Sequence, residues 1–133
     1  NFLKLSQNLF ISSGNIAQYS ALKVFDSINE LNEIVKVYHS TRSEVLKILK
    51  NIPLIKFSEP QGSFYFYIDI RNTKLDSFKF VNKLMIDTGV VLTPGIDFDK
   101  KFGNRTVRLS FSSKQNLVLE AVQKIHSWFR KNY

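Results

Sequence analysis

Arg108 stands in the middle of Thr106-Val-Arg-Leu-Ser-Phe-Ser112, a stretch in which apolar and polar residues alternate. That period reads as a strand with Val107, Leu109 and Phe111 facing a core and Thr106, Arg108, Ser110 and Ser112 facing away. A guanidinium on such a strand is partly desolvated, which is unfavourable unless an anion pairs with it. Its planar fork matches a carboxylate through two parallel hydrogen bonds. The residues alone leave two partners open. One is an Asp or Glu of a neighbouring element in a structural ion pair, which is the commoner outcome; the other is a small acid held as a ligand.

Other residue types offer less chemistry. The sequence has no cysteine, so disulfides, thiolate metal sites and cysteine nucleophiles are excluded. Its two histidines, His39 and His126, lie outside any His-Glu-x-x-His spacing and read as surface or interface residues on helices. Asp97-Phe-Asp99, after Thr93-Pro-Gly95, lacks the further ligands of a calcium loop and reads as a turn with capping carboxylates. No glycine-rich phosphate loop and no local Ser–His–Asp context is present. The aromatic run Gly62-Ser-Phe-Tyr-Phe-Tyr67, with a net charge of +8, raises an alternative function: a small basic nucleic-acid-binding module that stacks bases on a sheet. Against it, Gln61 occupies the position where such strands carry Lys or Arg, and Phe64 and Phe66 have core parity.

The elements that must position Arg108 follow from the periodicity. A hydrophobic content of 44% in 133 residues is enough for one packed core. No apolar run reaches the roughly 20 residues of a membrane span. Residues 15–28 read as a helix, with Ile16, Ala21, Val24 and Ile28 at helical spacing after Gly14. Ser27-Ile-Asn-Glu30 has the form of a capping box opening a second helix to about Lys50, striped by Ile34, Val37, Thr41, Val45, Ile48 and Leu49. Pro53 ends that helix. Residues 63–70 alternate as a strand, with Phe64, Phe66, Ile68 and Ile70 on one face and Tyr65, Tyr67 and Asp69 on the other. Asp76 caps a helix over 77–88 that buries Phe80, Val81, Leu84 and Met85, and Gly89 closes it. Val90–Leu92 reads as a short strand before Pro94. Ser113 caps a last helix with Leu117, Val118, Ala121, Val122, Ile125 and Trp128 on its apolar side. The expected fold is α+β: a small mixed or antiparallel sheet with helices on one face, preceded by a helix pair.

Taken together, Asn15-Ile-Ala-Gln-Tyr-Ser-Ala21, Pro60-Gln-Gly-Ser-Phe-Tyr65, Gly89-Val-Val-Leu-Thr-Pro-Gly95 and Thr106-Val-Arg-Leu-Ser110 resemble, in order and spacing, the C-terminal portion of class I/II aminotransferases. These are fold type I enzymes dependent on pyridoxal 5'-phosphate, and Thr93–Asp99 is most similar to their aspartate-aminotransferase-like branch. The resemblance implies that residues 52–133 form the small domain and that residues 1–51 link to the rest of the enzyme and its interface. It implies that Arg108 binds the substrate's α-carboxylate. It also implies transfer of an amino group between an amino acid and a 2-oxo acid, a homodimer and a cytoplasmic location, with neither nucleic acid nor membrane as partner. Gln18 and residues 12–15 match a segment near the interface and active site of such enzymes; no contact is assigned to them. The family's catalytic lysine, its pyridine-facing aspartate and its phosphate-binding Gly-x-Arg segment match nothing here. Ser113-Lys114 has the wording of the lysine motif, but it opens a helix and no Gly-x-Arg follows. The expectation is therefore a fragment that is inactive alone. A third reading keeps the domain only for dimerisation in a regulatory protein.

Overall fold

The computed structural model describes residues 2–9 and 13–133. By packing the chain divides into two units, one running to Val35 and one of Lys36–Tyr133. The first holds helices α1 (Phe2–Leu9) and α2 (Asn15–Ala21), a 3-10 turn (Val24–Ser27) and the start of α3 (Ile28–Leu49). The expected single helix over 15–28 is thus broken. Leu22 and Lys23 donate backbone bonds to Tyr19 and Ser20, tightening the last turn of α2, and Asp26 does the same to Lys23. Phe2, Leu5 and Leu9 recur at helical spacing in α1, an element the sequence reading omits. Ser12 lies outside the described residues.

The second unit carries the sheet. Its strands β1 (Lys56–Phe57), β2 (Tyr65–Asp69), β3 (Thr93–Pro94) and β4 (Thr106–Ser110) run antiparallel in the order β1-β2-β4-β3. The central pair is registered Phe66↔Leu109, Tyr67↔Arg108 and Ile68↔Val107. Period-two alternation then sorts the faces. Phe66, Ile68, Val107, Leu109 and Phe111 are buried, while Tyr67 and Ser110 are exposed and Arg108 half-buried on the other side. The ladder continues at both ends through Phe111 N–H to the Phe64 carbonyl and Ile70 N–H to the Arg105 carbonyl, both 2.9 Å.

Helices cover the apolar face. Thr41, Val45, Leu46 and Leu49 of α3, the buried side of α4 (Ser77–Thr88) and Val118, Val122, Ile125, Trp128 and Phe129 of α5 (Gln115–Asn132) belong to this unit's interior. Phe66 lies 5.8 Å from the Phe57 ring and 5.4 Å from Phe111, and Phe80 meets Trp128 edge-on at 5.5 Å. Asp76 caps α4 by accepting from Lys79 N–H at 2.9 Å, and Gly89 ends it with φ 73°, both as the sequence indicates.

Four details differ from expectation. Met85 is 42% exposed, because the buried set of α4 is Ser77, Phe80, Val81 and Leu84 and Met85 falls past its edge. Val90–Leu92 is no strand: Val90 and Leu92 are buried, but the ladder starts only at Thr93 opposite Arg108. The start of α5 is preceded by Lys114 rather than capped by Ser113, and Leu117 is exposed. Ile34 and Val37 are half-exposed, so the stripe of α3 is buried only from Thr41 onward. Phe66→Ala should lower the stability of the chain by about 3–5 kcal/mol, whereas Met85→Ala should change it by less than about 1 kcal/mol; urea melts of the two variants check the contrast.

Candidate functional site

Arg108 is held from both sides of its strand. Tyr67 of β2 and Thr93 of β3 are its direct cross-strand partners. Its guanidinium carbon lies 4.5 Å from the centre of the Tyr65 ring and 5.1 Å from that of Phe98. Aromatic faces attract a cation and displace water from its planes while leaving its in-plane donors free. One of those donors, Nε, is buried without a hydrogen-bond partner; the two Nη atoms are not sealed in this way. Among the described residues no Asp or Glu forms an ion pair with Arg108. The structural ion pair left open by the sequence is therefore not made, and the Nη edge is presented without an anion.

Phe98 comes from the loop joining β3 to β4, and two glycines close that loop. A Cβ on Gly95 would lie 2.7 Å from the Gly103 carbonyl oxygen and would overlap Thr106 Oγ1; one on Gly103 would overlap the Gly95 carbonyl. Only glycine permits this approach. Asp99 organises the turn between them: its Oδ1 accepts from Lys101 N–H and Phe102 N–H, both at 2.9 Å. These are the capping carboxylate bonds expected from the sequence, and the described residues contain no cluster able to hold a metal. Asp99 Oδ2 also accepts the Tyr67 hydroxyl at 2.8 Å, and that hydroxyl lies 2.7 Å from Thr106 Oγ1. Tyr67 and Phe98 rings are 5.6 Å apart.

Beyond Tyr67, the same sheet face carries Asp69, Arg71 and Arg105. Asp69 Oδ2 accepts from Arg71 Nε at 2.8 Å and from its Nη2, with Arg105 Nε at 4.0 Å. The Arg71 hydrogen bonds hold the Asp69 carboxyl below the usual range against the opposing effect of burial. The Phe102 amide, then Tyr67, hold Asp99 down likewise. Loss of water pushes the Tyr67 hydroxyl above its ordinary value, and the nearby Asp99 carboxylate adds to this, although the Thr106 hydrogen bond opposes it.

The remaining candidates are not brought to Arg108. His39 is exposed on α3; His126 is half-buried on α5 beside Ile52 and Phe129, on the helical side of the sheet. Phe66 is fully buried and Phe64 packs against the core, so the aromatic strand presents neither phenylalanine ring for base stacking. Gln18 Nε2 donates to the Ser13 carbonyl at 2.7 Å within the first unit. Sequence reasoning missed Phe98 and the Tyr67–Asp99 bond. Tyr67 shares the parity of Arg108, a usable signal, but nothing local marks Phe98 as folding back over the strand.

A four-stranded antiparallel sheet with helices on one face matches the C-terminal domain of aminotransferase structures. The chain's homologues are aminotransferases of the aspartate-aminotransferase-like kind, to whose C-terminal part it corresponds. No protein-family model matches it. It is 34% identical over 126 residues to valine–pyruvate aminotransferase of Mycobacterium tuberculosis, which covers 93% of this chain and 32% of that protein. It is 35% identical over 131 residues to (5-formylfuran-3-yl)methyl phosphate transaminase of Methanocaldococcus jannaschii, covering 97% of this chain and 34% of that protein. The crystal structure of an aminotransferase from Mycobacterium tuberculosis superposes with a TM-score of 0.82 at 33% identity, over 96% of this chain and 33% of the other. The chain thus spans about a third of the length of the relatives it matches.

Gly103→Ala should destabilise the chain by about 1–3 kcal/mol through forced overpacking, while Gly62→Ala, whose Cβ meets open space, should not; melting curves decide. Asp69 and Asp99 bind a proton less readily folded than unfolded, so the stability they lend is present above about pH 4 and lost as the pH falls through their lowered folded values. Asp69→Asn should remove part of that acid loss, read from denaturant melts at a series of pH values.

Proposed function

We propose that this chain is the carboxylate-gripping small domain of an aminotransferase that moves an amino group between an amino acid and a 2-oxo acid. One observation carries the reading: Arg108 is half-buried with its Nε sealed, and no described carboxylate meets it. A substrate carboxylate approaching the Nη edge would receive two parallel charge-assisted hydrogen bonds. Because the arginine stands on a central strand, that contact fixes where the substrate's Cα lies. Names of the relatives, which specify aminotransfer, support the reaction class.

On this reading pyridoxal phosphate supplies the electron sink for bond changes at the substrate's Cα. The residues around Arg108 do not fit that cofactor. Tyr65, Tyr67, Thr93 and Phe98 include no lysine to bond it, and Gly95 and Gly103 are packed too closely to cradle its phosphate. The cofactor would be held elsewhere in the enzyme, and this chain's contribution is binding and orientation. Residues 1–51 would link the domain to the rest of the enzyme and to a second copy. The exposed Ile16, Tyr19, Leu22 and Phe25 favour such a homodimer, because apolar groups in numbers on one segment are usually covered. No helix among the described residues is long and apolar enough to cross a membrane; a cytoplasmic location is the expectation that goes with the reading.

In the full-length enzyme, Arg108→Leu should raise the KM for both amino acid and 2-oxo acid by at least about tenfold, and Arg108→Lys, a point charge without the fork, should recover part of that loss. Steady-state kinetics with unchanged KM in Arg108→Leu would end the proposal. The chain by itself, treated with pyridoxal phosphate and borohydride, should show no single preferentially labelled lysine by mass spectrometry.

A further inference from the structure

We propose that Asp99 is a positioning residue for the carboxylate grip of Arg108, acting through Tyr67 and Phe98; this rests on the carboxylate-binding reading of Arg108 given above. Asp99 spends its two oxygens on different parts of the fold. Oδ1 takes the amides of Lys101 and Phe102 within its own loop, and Oδ2 takes the hydroxyl of Tyr67 on β2. Its backbone N–H donates to the Gly95 carbonyl at 2.9 Å. One side chain therefore ties the loop that carries Phe98 to the strand residue that pairs with Arg108.

Both groups so fixed touch the arginine's setting. Phe98 immediately precedes Asp99, and its ring is 5.1 Å from the guanidinium carbon and 5.6 Å from the Tyr67 ring. With its Nε buried and unpaired, the guanidinium is oriented by stacking rather than by hydrogen bonds to the protein. A loosened Phe98 would free the Arg108 rotamers, and carboxylate binding would then have to order them. A purely structural role for Asp99 is the competing account. The loop has independent fasteners, however: the Gly95–Gly103 contact and the bond from Thr106 Oγ1 to the Phe102 carbonyl at 3.1 Å. Removing the Tyr67–Asp99 bond should leave the loop closed and fall on the stacking geometry.

The test uses the full-length protein with propionate as a simple carboxylate probe, titrated by calorimetry, with melting temperature read in parallel. Asp99→Asn keeps one oxygen for the amides but replaces the charged acceptor of the Tyr67 hydroxyl with an NH2 group that can only donate to it, so the charge-assisted bond is lost; Tyr67→Phe removes the hydroxyl from the other side. Each should raise the propionate dissociation constant by about three- to tenfold, the range that one lost hydrogen bond commands. The double variant should be no weaker than the weaker single, since both remove one shared interaction. Arg108→Leu separates the two levels of the argument. If it binds propionate as the unaltered protein does, the carboxylate reading has failed and this inference with it. If Arg108→Leu abolishes binding while Asp99→Asn and Tyr67→Phe only lower the melting temperature and leave propionate affinity unchanged, the positioning role alone is overturned.

Discussion

A guanidinium that its own strand forces out of the core, and that no carboxylate among the described residues neutralises, sets the terms for the outer face of this sheet. Period-two alternation places Val107 and Leu109 inward, so Arg108 cannot turn inward without taking both out of the core. It cannot reach fully into water either, because Tyr65 and Phe98 lie against it. The aromatic setting lowers the cost of partial desolvation without consuming the arginine's Nη donors. An Asp or Glu in that position would have neutralised the charge and closed the site.

The apolar side explains why the arginine can be held so firmly. Phe66 and Ile68 oppose Leu109 and Val107, and the rings of Phe57 and Phe111 pack onto Phe66. These contacts fix the register of β2 and β4, and register fixes which residues neighbour Arg108. A one-residue slip would exchange the two faces, burying Tyr67 and Arg108 and exposing Phe66. The hydrophobic term opposing that slip is large, since each buried aromatic or aliphatic side chain contributes about 1.5–3 kcal/mol. The fixed position of Arg108 is thus a by-product of core packing on the other side of a single sheet.

Much of this was legible in the chain itself. The parity of Phe64–Ile70 and Thr106–Ser112 was readable because a half-buried strand must alternate, and the bounds of α4 were readable because Asp76 and Gly89 act through local bonds. The carboxylate role proposed for the outer-face arginine rests on four short motifs in order, which carry no information on its surroundings. Phe98 reaches Arg108 only because Gly95 and Gly103 meet backbone to backbone across the loop, a pairing that no local pattern encodes. Val90–Leu92 misled for a related reason: alternation reports which side chains are buried, but a strand also needs a hydrogen-bonded neighbour, and β4 supplies one only from Thr93 onward. Residues 15–28 misled because apolar spacing of a 3-10 turn and of an α-helix differ little over so short a run.

Charge follows a different logic from the site. The net charge of +8 is a property of the whole surface, and several of its lysines sit in exposed pairs such as Lys47–Glu44 and Lys124–Glu120. Pairs of that kind contribute little to stability and carry no address. Arg108 differs in having a fixed direction and an aromatic lining rather than a mobile stem in water. An α-carboxylate is common to every amino acid and 2-oxo acid, so the grip proposed for Arg108 would gain from standing on a central strand and need not change with the substrate.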